Sequence, residues 1–116
     1  MKILAIVHAF PPDHGSGAEW MMHDMMQYMM KQGHECKVWV TKYPAQDING
    51  IKMGDESDVK DADILWSHLN MTGKAINIAK QYKKPLLHIV HNTQHMGIIS
   101  VQRKNVYNAF NTWYTF

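Results

Sequence analysis

Several features are scarce or missing in this sequence, and each shortage excludes a class of protein. The single cysteine, Cys36, cannot form an internal disulfide, which favours a reducing compartment. No apolar stretch approaches the roughly 20 residues that cross a bilayer. Pro11 and Pro12 end the first apolar run early, and no small-residue cleavage pattern follows them. We therefore expect a cytoplasmic protein without a membrane span.

An excess of charge of one sign is also missing. The net charge is +2, and the basic residues occur at most in pairs. This distribution gives no reason to expect nucleic acid or an acidic membrane as a partner. Hydrophobic residues make up 46% of the chain and charged residues 19%, which is typical of a globular protein. We expect residues 1–116 to form a single domain.

The apolar patterns predict strands that alternate with helices. Residues 3–7 are a continuous apolar run, typical of a strand buried on both faces. In residues 18–31 apolar side chains recur every three or four positions, as in a helix with one buried face. Further strands are predicted at 36–41, 51–53, 63–68, 86–90 and 106–110, and a second helix at 73–84. This alternation predicts an α/β fold: a doubly wound, Rossmann-like parallel sheet with helices on both faces.

The segment HGSGAEW links the first strand to the first helix. Ser16 and Glu19 have the spacing of a capping box, in which each side chain bonds to a backbone N–H near the other residue. Gly15 and Gly17 allow positive φ, and without a Cβ they let an anion approach the backbone. Trp20 replaces the third glycine of the dinucleotide fingerprint, and no Walker lysine follows. We predict a phosphate-accepting turn, the alternative being a turn that only caps the helix.

The eight histidines raise the question of a metal site. His88, His91 and His95 are spaced H-x2-H-x3-H, but residues three positions apart on a strand face opposite sides. Cys36 is far away in sequence, so we expect no metal. His68 and His91 end predicted strands at the same edge as the glycine turn, where ligands bind in open parallel sheets. We predict that both bind substrate; the alternative is that they are buried structural histidines.

Five segments, taken in order, resemble the N-terminal domain of the retaining GT-B glycosyltransferases (family 4-like) that use nucleotide sugars. They are FPPDHGSGAEW with its Gly17-Ala18-Glu19, then Gly33-His34-Glu35 before Val38, Asp63-Ile-Leu-Trp-Ser-His68, Pro85-Leu-Leu-His-Ile-Val-His91-Asn92, and Asn111-Thr112-Trp113. The likeness spans most of the chain except residues 42–60. The resemblance depends on the order and spacing of these motifs, since none of them is specific alone.

The resemblance implies a function and a set of site residues. In this family the N-terminal domain binds the acceptor, and its glycine-rich loop meets the donor diphosphate, while a C-terminal domain holds the nucleotide. The donor would be a nucleotide sugar, the acceptor is unidentified, and no metal or other cofactor is required. We expect the chain, which stops at Phe116 without that second domain, to be a truncated GT-B half and inactive alone. The implied catalytic residue is His91, the donor-binding residues are Gly15, Ser16 and Gly17, and the substrate-binding residues are His68, Asn92, Asn111 and Thr112.

Two other functional hypotheses remain open. One is a non-catalytic Rossmann-like module that binds a sugar, a nucleotide or a protein partner. It would form a homodimer through the helix that carries six of the ten methionines, where Trp20, Met21 and Met30 extend beyond the core stripe. The other is a receiver- or flavodoxin-like signalling domain. Its acidic pocket would need carboxylates after the first strand, where this chain has His8-Ala9-Phe10.

Overall fold

Strands and helices alternate along the chain, as the apolar patterns predict. The computed structural model describes residues 1–12, 17–68, 71–90 and 106–110. A 3-10 turn, Glu56–Asp58, precedes the fourth strand. The other elements are β1 (Lys2–Val7), α1 (Gly17–Lys31), β2 (Glu35–Val40), β3 (Lys52–Met53), β4 (Ile64–His68), α2 (Thr72–Tyr82), β5 (Leu86–Val90) and β6 (Val106–Phe110).

These strands form one parallel sheet in the order β3-β2-β1-β4-β5-β6. This is the order 3-2-1-4-5-6 that is typical of Rossmann folds. The two-residue β3 distinguishes this order from the flavodoxin-like one, because the other five strands alone would have the order 2-1-3-4-5. Both orders reverse between β1 and β4. The predicted Rossmann-like α/β fold is therefore confirmed, and the reversal marks where such sheets bind ligands.

The two faces of the sheet carry separate hydrophobic cores. Alternate side chains of β1 point to opposite faces, as strand geometry requires. Ile3, Ala5 and Val7 belong to a cluster with Met22 and Met26 of α1. Leu4 and Ile6 belong to a second cluster that contains the buried residues of α2. Helices thus cover both faces of the sheet, as the doubly wound prediction requires.

Helix α1 buries most of its methionine surface. Met22 and Met26 are fully buried, and Met25, Met29 and Met30 pack against the same cluster. The prediction that Met30 extends beyond the core was wrong, because its side chain reaches the loop at Gly50. Trp20 and Tyr28, in contrast, are exposed.

Helix α2 ends two residues before the predicted Lys84. Lys83 adopts the left-handed conformation, with φ of 56°, and its N–H bonds back to the carbonyl of Ala79. The N–H of Lys84 donates to the same carbonyl at 3.0 Å. This is how a helix is closed by one left-handed residue, so Lys83 rather than Pro85 stops the helix.

Candidate functional site

The candidate site lies where the strand order reverses, at the carboxyl ends of β1 and β4. The connections that follow these two neighbouring strands go to opposite faces of the sheet, and a crevice opens between the two connections. His8 follows the end of β1, and His68 is the last residue of β4. Their ring centroids are 6.5 Å apart. The fold thus brings together one histidine that the sequence analysis selected and one that it did not.

His8 is held beside Tyr43 by an extension of the pairing between β1 and β2. The N–H of Thr41 donates to Val7 O at 2.9 Å, and that of Tyr43 donates to His8 O at 3.1 Å. The rings of His8 and Tyr43 meet edge to face, with centroids 6.4 Å apart. Nδ1 of His8 is buried and accepts or donates no hydrogen bond within the described part of the chain. His8 is thus a polar side chain at the switch point with unused bonding capacity.

His68 is fully buried at the end of β4. A ligand would reach its ring only if a neighbouring group moved aside, so its predicted substrate contact stays a prediction. Its strand neighbour Ser67 faces the other side of the sheet, where its Oγ lies 3.0 Å from Nδ1 of His88. Ser67 and His88 are also completely buried. They form a polar link between β4 and β5 inside the α2 core, with no access for a substrate.

Helix α1 begins at Gly17, on the same edge. Gly17 has no positive φ, so the freedom expected there is not used, and a Cβ on it would meet nothing within 4 Å. Glu19 in the first turn is buried, with only 6% of its surface exposed. A carboxylate there interacts favourably with the positive end of the helix dipole. A helix start leaves N–H groups without partners inside the helix, and such groups can bind an anion.

The other predicted site residues cannot be placed relative to this crevice. Outside the described residues lie Gly15, Ser16, His91, Asn92, Asn111 and Thr112. The capping box between Ser16 and Glu19 and the catalytic role of His91 therefore stay predictions.

Two lysines at the same edge were missed by the sequence analysis. Nζ of Lys42, just after β2, lies 5.2 Å from the ring centroid of Tyr43. Nζ of Lys74, in the first turn of α2, lies 5.0 Å from the ring centroid of Trp39. Within the described ranges neither lysine forms an ion pair with a carboxylate. Tyr43 directly follows Lys42, but nothing in the sequence shows that the Lys42 ammonium group lies over its ring, and Trp39 is brought near Lys74 only by the fold.

The opposite edge of the sheet holds a cavity of about 220 Å³ that contains two ion pairs. Nζ of Lys2 and of Lys37 each lies 2.9 Å from a carboxylate, of Asp61 and Asp58 respectively. Hydrogen bonds to these partners raise the pKa of both lysines. The backbone N–H of Asp55, and then Lys37, lower the pKa of Asp58. We assign this cavity no function, since Lys2, Lys37, Asp58 and Asp61 in its lining are already engaged in ion pairs.

Metal binding finds no support in the part of the chain that the structure describes. No three side chains of His, Cys, Asp or Glu converge there as a metal ion would require. None of the described helices has the length and apolar character needed to span a bilayer.

Comparisons with protein-family models, with curated proteins and with solved structures each found no match to this chain.

Proposed function

We propose that this chain is the N-terminal, acceptor-side domain of a retaining GT-B glycosyltransferase that takes its sugar from a nucleotide-sugar donor. One observation carries the proposal: the start of α1, His8 and His68 share the sheet edge at which the strand order reverses. Open α/β sheets bind their ligands at this point. The motif resemblance from Gly17-Ala18-Glu19 to Asn111-Thr112-Trp113 supplies the reaction class.

The chemistry follows from charge. Departure of a nucleoside diphosphate leaves negative charge that must be stabilised by preorganised donors. The first N–H groups of a helix have no partner within the helix, so the start of α1 can provide such donors, with the helix dipole behind them. In the proposal, His91 approaches the reacting sugar, and His68 and Asn92 hold its hydroxyl groups. In the proposal a second domain supplies the nucleotide pocket, so residues 1–116 by themselves should bind donor weakly and show no turnover.

The test is an NMR titration of the ¹⁵N-labelled chain with UDP, GDP and their sugars. We expect the amides of residues 15–19 to shift first, followed by those of His91 and Asn92. If other amides respond while these stay still, the assigned site is wrong.

A glycine-to-alanine pair sharpens the test. A methyl group at Gly17 meets no protein atom within 4 Å, so Gly17→Ala should fold normally. It would occupy the space through which the phosphate reaches the backbone, and losing one charged hydrogen bond weakens binding about tenfold. Gly73→Ala, in the first turn of α2 and equally unobstructed, is the matched control and should leave donor affinity unchanged.

A non-catalytic module is the second candidate, and exposed aromatic surface on α1 favours it. Trp20 is 42% exposed and Tyr28 62%, which is unusual for side chains so large. Such a surface would suit a second copy of the chain or a protein partner. No response to any nucleotide, together with a dimer in sedimentation analysis that Tyr28→Ser dissociates, would favour this reading.

A further inference from the structure

We propose that Lys42 and Lys74 bind a phosphomonoester group on the acceptor substrate. The inference rests on the proposed function, since it names the chemistry of the second substrate. Its starting point is the charge at the carboxyl edge of β2. Both lysines are exposed there, and neither is neutralised by a carboxylate of the described residues.

The fold brings together the two segments that carry these lysines. Thr41, the neighbour of Lys42, directs its Oγ1 toward Sδ of Met71 at 3.5 Å. Met71 is the N-cap residue of α2, and Lys74 follows it by three positions, about one helical turn. The end of β2 and the start of α2 therefore meet, and each brings one lysine to the junction.

Aromatic rings orient both ammonium groups. Lys42 lies over Tyr43 and Lys74 over Trp39, at 5.2 and 5.0 Å from the ring centroids. A ring face attracts a cation but does not cancel its charge, so both groups keep their capacity to bind an anion. Holding a flexible lysine in place also lowers the entropy that is lost when a ligand binds.

The lysine pair is separate from the proposed donor site. Trp39 packs against the α2 core, whereas α1 and its first turn cover the other face of the sheet. One edge thus offers two places for anions, one at the start of α1 and one between β2 and α2. The donor diphosphate takes the first, which leaves the second for the acceptor.

Two ammonium groups carried by segments that meet at one junction favour a phosphomonoester over a carboxylate. A phosphomonoester carries between one and two negative charges near pH 7, against one for a carboxylate. Lysine recognises phosphate as a point charge, without the forked geometry by which arginine fits a carboxylate. The acceptor is therefore expected to be a phosphorylated sugar or polyol.

The experiment compares three small probes by NMR at constant ionic strength: glycerol 3-phosphate, glycerate and glycerol. We expect glycerol 3-phosphate to shift the Trp39 indole N–H and the Lys42 amide in a saturable way, with an affinity at least about tenfold above that of glycerate. Glycerol should cause no shift. Equal affinity for glycerate, or saturation at other residues only, would overturn the proposal.

Variants separate charge from structure. Lys42→Gln and Lys74→Gln should each weaken binding of glycerol 3-phosphate about tenfold, whereas Lys74→Arg, which keeps charge and stacking, should retain it. Lys80→Gln, an exposed change in the last turn of the same helix, is the matched control and should have no effect. An equal loss in Lys80→Gln would mean that only net charge matters, and the assignment would fail.

A parallel titration with UDP keeps the two proposals distinguishable. Shifts of residues 17–19 with UDP but none at the lysines with glycerol 3-phosphate would refute the acceptor inference and leave the proposed function standing. The reverse result would leave an anion site on the chain and refute the donor site at α1.

Discussion

At the scale of single residues, His23 shows why a polar side chain lies on the buried face of α1. Its Nδ1 is 2.9 Å from Asp24 Oδ1, and its Nε2 is 3.0 Å from Asn49 Nδ2. Nδ1 faces the carboxylate and Nε2 faces the amide, so both ring nitrogens have polar partners. Gln27 Nε2 donates to Asn49 O at 2.8 Å. Together these bonds fix the loop before β3 to the helix.

Asn49 should contribute to the stability of the fold through both its side-chain amide and its backbone conformation. Its φ of 50° is left-handed, a conformation that Asn and Gly adopt more readily than Ala. Asn49→Gly removes the bond to His23 and should cost about 1 kcal/mol in the free energy of unfolding. Asn49→Ala also strains the backbone and should cost about 2 kcal/mol. Urea denaturation measures both, and equal losses would show that the backbone is not strained.

Cys36 should make stability fall at high pH. Burial raises the pKa of its thiol to about 11, whereas an unfolded chain loses this proton near pH 8.5. Between these values the folded state binds more protons, so the contribution is complete below about pH 8.5 and is lost as the pH rises toward 11. The test is urea denaturation from pH 8 to 11 for the wild type and Cys36→Ala. Parallel curves for the two proteins would contradict the assignment, since Tyr and Lys titrate in both.

At the scale of elements, two glycines should respond to alanine with opposite signs. Gly33 ends α1 with φ of +93°, and a Cβ there meets nothing, so the cost of Gly33→Ala is purely conformational. We expect a loss of about 1 kcal/mol or more. Gly73 lies within α2 with no positive φ and open space around it, so Gly73→Ala should raise stability by about 0.4–1 kcal/mol. Thermal denaturation of both variants checks this, and a gain from Gly33→Ala would refute the argument.

The strands and helices were accessible from sequence because each has a local signature. The apolar stripe of α1, with its period of 3.6 residues, and the β-branched run of β1 can be recognised from the sequence alone. The end of α2 was not accessible, because a left-handed Lys83 has no signature that distinguishes it from helical lysine. The site was accessible only in part. His68 was predicted from its place at a strand end, whereas His8 and Lys74 acquire their ring neighbours only in the folded chain. Lys42 has Tyr43 beside it in sequence, but the sequence does not show that its ammonium group lies over that ring.

At the scale of the whole molecule, the two sheet edges differ in how their charges are used. At the amino edge, Lys2 forms an ion pair with Asp61, and Lys37 forms one with Asp58. At the described carboxyl edge Lys42 and Lys74 rest on aromatic rings instead. Paired charges contribute at most modestly to stability at an exposed surface. The unpaired ones create a local field for an anionic ligand, so this asymmetry supports binding at the edge where the strand order reverses.

The sheet should also divide the core into two energetically independent halves. Met26 of α1 and Ile78 of α2 are buried in different clusters on opposite faces. Met26→Ala should cost about 2–5 kcal/mol and Ile78→Val about 0.5–1.5 kcal/mol. Because the side chains share no cluster, the double variant should equal the sum to within about 0.5 kcal/mol.

A control double-mutant cycle combines Met26→Ala with Met22→Val. Met22 lies one turn earlier in α1, on the same face of the sheet. These residues belong to one hydrophobic cluster, so their losses should differ from additivity by more than about 0.5 kcal/mol. Urea denaturation of the single and double variants gives both coupling energies. Strong coupling across the sheet would mean that β1 transmits packing changes between its faces. A mutation beneath α1 would then disturb the lysine pair beside α2, and the two anion sites would no longer be independent.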